Sequence, residues 1–131
     1  MFQKKLKTGL TYEKTIAVTS NDTAAAYGSG NVDVLATPAM IALMEGTALE
    51  CVQSFLEKDF VTVGIDVCVK HVKATPVGMQ VTCKAILREV DGARLVFDVE
   101  AWDEKGKIGM GTHERFVVNL PEFMKKVNQN G

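Results

Sequence analysis

Three side chains stand where chemistry could be done: Thr37 at the head of an apolar stretch, Glu45 inside it, and His71 at the end of an alternating segment. A carboxylate that follows Ala39, Met40, Ile41, Ala42, Leu43 and Met44 is conspicuous. Burying it unpaired costs several kcal/mol, comparable with a domain's whole stability margin. Glu45 is therefore functional, or it pairs with a buried lysine or arginine, or it reaches solvent at a helix edge; pattern alone leaves these readings open. Eight residues of helix turn by about 80° and rise by about 12 Å, so Thr37 and Glu45 fall on neighbouring sides of one cylinder with Ile41 and Met44 between them. An acyl group could lie along that face. His71, whose side chain titrates near neutrality, could serve as a base or as an orienting group, although a single histidine at a strand end is more often a surface or hydrogen-bonded one. Its competitor is His113, in Gly111-Thr112-His113-Glu114-Arg115, where alternation places it on the side of Arg115 and Val117.

Other chemistries lack their signatures. No H-x-x-x-H or C-x-x-C spacing points to a metal, and serine-elbow, P-loop and dinucleotide fingerprints are missing, so no metal and no cofactor are expected. Cys51, Cys68 and Cys83 are odd in number and irregular in spacing, which argues against a disulfide framework. They are expected to pack as small hydrophobes in a reduced, cytoplasmic protein.

The elements that must position these residues follow from periodicity. Thr37-Pro38 is a helix start in which threonine can accept from first-turn amides and proline loses no hydrogen bond. The helix is expected to run to about Leu56, and its first half, apolar all round, reads as buried. Leu10 to Thr19 is compatible with a strand. Val61, Val63, Ile65, Val67 and Val69 alternate with less apolar neighbours in a longer one that ends near His71. Met79 to Val90 and Arg94 to Trp102 flank the hairpin signal Asp91-Gly92, and Lys107 to Leu120 forms a last strand before a short polar tail with room for a helical turn. Ser20 to Asn31 carries loop chemistry and is the one candidate for a mobile lid. The order is strand, long helix, four strands. An antiparallel sheet needs one face covered, and only this helix is large enough, which gives an α+β fold with a five-stranded sheet wrapped around one long buried helix.

With 131 residues, 47% of them hydrophobic, the chain is expected to form a single domain over 1–131 with one core. A net charge of −1 with scattered lysines and arginines gives no footprint for nucleic acid, and no apolar run reaches membrane length. The basic start, Met1 to Lys7, is followed by a polar alternating stretch rather than a signal core.

Three blocks in order, Leu35-Ala36-Thr37 with Met40 to Glu45, Val67 to His71 with Ala74 to Gly78, and Gly111 to Arg115, resemble the fluoroacetyl-CoA thioesterase family, with similar spacing from about Val34 to Val127. The resemblance implies a hotdog fold, a homodimer or a higher homo-oligomer with active sites at the subunit junction, and hydrolysis of a short acyl-CoA to the free acid and coenzyme A. It implies Thr37, Glu45 and His71 as the catalytic set, with Gly64 facing the thioester and Arg115 lying against the substrate. The family's phenylalanine-bearing gate before Thr37 has no counterpart in the shorter, glycine-rich stretch Ala24 to Val34, so a short-chain or branched acyl group is the expected substrate. The alternative is a non-catalytic protein that binds acyl-CoA or another small ligand. A hydratase or dehydratase ranks last, because no histidine precedes the helix.

Overall fold

The computed structural model describes residues 6–130, and most of the basic Met1 to Lys7 stretch lies outside it. Five strands, β1 (Thr11–Ala17), β2 (Phe60–His71), β3 (Gln80–Asp91), β4 (Arg94–Asp103) and β5 (Gly106–Asn119), form one antiparallel sheet in the order β1-β3-β4-β5-β2. The short helix α1 (Ala24–Tyr27) and the long α2 (Thr37–Gln53) follow β1, and α3 (Leu120–Asn130) follows β5. The core lies between α2 and the sheet. Met40, Leu43, Met44, Ala48 and Val52 pack there with Val81, Leu87, Leu95, Phe97, Val99 and Ile108. The sheet covered by one helix is thus the expected architecture.

Several local expectations change. Alanine at 36, not threonine at 37, is the N-cap of α2, and no side chain caps the helix; Thr37 is its first helical residue, and its hydroxyl is engaged elsewhere. The helix ends at Gln53 with Ser54 as C-cap, short of Leu56. Nor is its first half buried all round. Thr37, Pro38 and Ala42 are exposed, and Ile41 and Glu45 are half-buried, so one stripe of the helix is open.

The segment Ser20 to Asn31 is built rather than plain loop. A 3-10 turn at Ser20–Asp22 closes in a capping box with Thr19, Thr23 caps α1, and Gly28, at φ 72°, ends it in the left-handed conformation that glycine adopts without strain. The chain then straps back through the Thr23–Leu35 and Val34–Pro76 bridges. At the other end, the polar tail forms 11 residues of helix rather than a single turn. Cys51 and Cys83 are buried as expected, but Cys68 is exposed on β2, an edge strand of the sheet. Burial holds the Cys51 thiol above its usual pKa and pushes that of Cys83 up to about 11.

The alternation in β2 is broken by a bulge. Gly64 pairs with Arg115 and Asp66 with Glu114, which leaves Ile65 as the extra residue. Thr62 and Gly64 face α2 before the bulge, and Val69 and His71 face it after. Ile65 and Val67, expected to be buried with the other valines, are instead 50% and 40% exposed.

Candidate active site

The structure sorts the expected site residues into two groups. At the N-terminus of α2, Thr37 Oγ1 lies 2.8 Å from His71 Nδ1. Two turns further along the same helix, Glu45 Oε2 lies 3.9 Å from Arg115 Nη1 and against Gly64, where an added Cβ would sit only 2.7 Å from that oxygen. Among the described residues no hydrogen bond or ion pair joins Glu45 to Thr37 or His71. The helix separates them, since eight residues rise by about 12 Å. Glu45 is not sealed in the core either; its side chain is 41% exposed, so part of the expected desolvation is avoided and Arg115 supplies a positive neighbour.

His71 ends β2 at the mouth of a cavity of about 390 Å³. Ala24, Gly30, Val32, Val34 and Leu35 from the α1 segment line it, with Thr37 and Val72 to Ala74. Its lining combines small and aliphatic side chains with the polar groups of Ser29, Thr37, His71 and Lys73. Burial lowers the pKa of His71, with the Lys73 backbone working the other way, so the imidazole is neutral at pH 7. Its Nε2 is buried with no hydrogen-bond partner. An unpaired buried nitrogen costs about 1–3 kcal/mol, and such a defect is tolerated where a bound group completes it. With its proton on Nδ1 the ring donates to Thr37 and leaves Nε2 as a free acceptor; with its proton on Nε2 it accepts from the Thr37 hydroxyl.

Arg115 is buried, and its orientation is fully determined. Nε donates to Thr62 Oγ1 at 2.7 Å, Nη2 to the Thr62 carbonyl at 2.9 Å, and Nη1 to His113 Nε2 at 3.2 Å. Burial lowers its pKa and Glu45 opposes that shift. His113 shares its strand face, as alternation indicated. It does not compete with His71, because it stands beside Glu45 and Gly64, not Thr37. The participation of Thr62 was missed, since one buried threonine in a valine-rich strand carries no sequence signal without the arginine that it holds.

Comparison with known proteins shows the family of the chain. Residues 18–120 match the family model of the fluoroacetyl-CoA-specific thioesterase. The chain belongs to that family. The fluoroacetyl-CoA thioesterase of Streptantibioticus cattleyicolor is 43% identical over 97 residues, 74% of this chain and 70% of the relative. A solved structure of a fluoroacetyl-CoA thioesterase is 34% identical with a TM-score of 0.92, covering 98% of this chain and 99% of its own. A thioesterase-superfamily member from Thermus thermophilus, 26% identical, has a TM-score of 0.89 over 96% of this chain and 93% of its own. A hot-dog-like protein from Thermanaerovibrio acidaminovorans, also 26% identical, reaches 0.87 over 95% and 93%. The family's hotdog architecture is therefore the fold described above. Among the described residues no cluster of three or more His, Cys, Asp or Glu side chains could hold a metal, and no helix is long and apolar enough to cross a membrane.

Proposed function

We propose that this protein hydrolyses a short-chain or branched acyl-CoA thioester to the free acid and coenzyme A. The observation that carries the reading is His71 bonded to Thr37 beside a cavity of about 390 Å³, in a chain that belongs to a thioesterase family. Thr37 and His71 hold the thioester at the head of α2, whose uncapped N-terminus places partial positive charge near a developing oxyanion. Glu45, set by Gly64 and Arg115, delivers the attacking oxygen, its own or that of a water it deprotonates. The carbonyl carbon gains that oxygen, the C–S bond breaks, and the thiolate leaves to take up a proton. Where the oxygen is Glu45's own, a water then cleaves the resulting mixed anhydride, releasing the free acid and restoring the carboxylate. Labelled oxygen in a single turnover separates the two routes.

One chain keeps Glu45 two helical turns from the Thr37–His71 pair, so a homodimer that sets one half-site against its mate completes the set. Three features support it: the open stripe of α2, the exposed Ile65 and Val67, and the 12-residue edge strand β2. The cytoplasm is the compartment we infer, on three unpaired thiols.

The test is thiol release from an acyl-CoA panel, acetyl through aromatic. Thr37→Ala, Glu45→Ala and His71→Ala should each lose about a hundredfold or more in kcat. A mixture of Thr37→Ala and Glu45→Ala chains, refolded together, should regain activity if the site is shared. Thermal stabilisation by acyl-CoA with no thiol release would make the protein a binder.

A further inference from the structure

His113 is a buried titratable group that the reaction above does not use. It touches three things that bear on Glu45. Its Nδ1 lies 2.8 Å from the Asp66 carbonyl, its Nε2 lies 3.2 Å from Arg115 Nη1, and its Cε1 would be 3.4 Å from a Cβ placed on Gly64. Arginine only donates, so Nε2 must be the acceptor. The proton of a neutral ring is then on Nδ1, which donates to the Asp66 carbonyl. Asp66 is the residue at which pairing resumes after the β2 bulge.

That bulge decides the site. Gly64 and His71 are seven residues apart, and in a regular strand an odd separation puts two residues on opposite faces. The extra residue reverses the parity, so Gly64 meets Glu45 and His71 meets Thr37 on the same helix. We propose that His113 is a positioning residue: its Nδ1–H clamps the bulge at Asp66, and its Nε2 fixes Arg115, so that Gly64 and Arg115 seat the Glu45 carboxylate. This rests on the hydrolytic reading of Glu45. Burial lowers the pKa of His113, the Asp66 carbonyl opposes that, the adjacent Arg115 lowers it further, and the charges of Glu45 and Asp66 work against Arg115. The ring therefore stays neutral at pH 7, as the clamp requires.

The experiment pairs kinetics with a tautomer measurement. In His113→Phe both polar contacts are lost, and kcat should fall about tenfold or more with KM nearly unchanged, the scale expected when a reacting group is displaced by a fraction of an ångström. In His113→Asn the side-chain amide sits where Nδ1 was and can still donate to Asp66, so most of the lost kcat should return. Should the Phe variant fail to fold, His113→Gln replaces it: its amide sits at the Nε2 position, away from the Asp66 carbonyl, and should lose as much. Parent kcat in the Phe or Gln variant, or an Asn variant no better than these, overturns the proposal. Nitrogen NMR of a His71→Ala chain, which retains one histidine, should show His113 neutral and protonated on Nδ1 at pH 7. An imidazolium or the other tautomer overturns it too. If the parent releases no thiol from any acyl-CoA, the hydrolytic reading fails instead, and the NMR result alone judges the clamp.

Discussion

Gly64→Ala separates the placement of Glu45 from the stability of the fold. A Cβ at this position would stand 2.7 Å from Glu45 Oε2 and 3.4 Å from both Arg115 Nη1 and His113 Cε1. The last two distances are tight but tolerable, and both groups are tied, Arg115 to Thr62 and His113 to Asp66. Glu45 is the member that can yield, being the end of a long side chain that is 41% exposed. Ordinary carbon–oxygen contacts begin near 3.3 Å, so the carboxylate must retreat by about 0.6 Å. Rotation towards solvent costs well under about 1 kcal/mol, and alanine returns about 0.4–1 kcal/mol by narrowing the unfolded ensemble. The melting temperature should therefore stay within a few degrees of the parent. Activity should not. A displacement of this size at a reacting group costs on the order of ten- to a hundredfold, and it should appear in kcat measured by thiol release. A folded Gly64→Ala protein with parent kcat, alongside an inactive Glu45→Ala, would refute the placement of the carboxylate. A variant that unfolds would refute the reasoning about which atom gives way.

Gly111→Ala should do the reverse. Its Cβ would overlap the Cys68 carbonyl oxygen and sit 2.6 Å from Val69 Cα, backbone atoms that cannot swing aside, so a loss of about 2–3 kcal/mol or more is expected in urea unfolding. Asp103, its side chain enclosed and bonded to Lys73, Thr75 and the amides of Lys105 and Gly106, is held at about 2 despite the opposing effect of burial. Its contribution, about 1–2 kcal/mol after allowance for water around the half-exposed Lys73, is present above pH 4 and lost as pH falls towards 2; Asp103→Ala should flatten that part of the stability–pH curve. His71 and His113 both have lowered values, so the unfolded chain binds their protons more readily, and stability should be full above about pH 6.5 and decline below it; unfolding curves that stay flat from pH 7 to 5 would contradict this.

Much of this architecture was legible because periodicity reports burial, and burial was simple for most elements. The β3–β4 hairpin around Asp91-Gly92, the strand after Asp103 and the apolar helix after Thr37-Pro38 lie where alternation and turn chemistry put them. Two of the misreadings involve a partner distant in sequence. Thr37 looked like a cap because capping is a local role, yet its hydroxyl is taken by His71, 34 residues away. The α1 segment looked like loop because its order comes from caps only a few residues long and from bridges to Leu35 and Pro76. The two groups of site residues could be named by resemblance, but their separation could not, since no spacing rule tells which face of β2 each residue takes.

That last point explains why Glu45 misled. A carboxylate in an apolar helix looks buried only if the whole circumference of the helix is covered, and one sheet covers one side. The stripe Pro38, Ala42 and Glu45 lies off that side, beside the edge strand rather than under the sheet's centre. On the dimeric reading proposed above, its apolar members are a surface for a second chain, while Glu45 stays partly exposed and lies against Gly64 of β2 and Arg115 of β5. The bulge is what allows this. An unbulged β2 would turn either Gly64 or His71 away from α2, and the helix would keep its Thr37 end or its Glu45 end, but not both. On the proposed reading, the joint placement of the two half-sites against one helix thus depends on one inserted residue, Ile65.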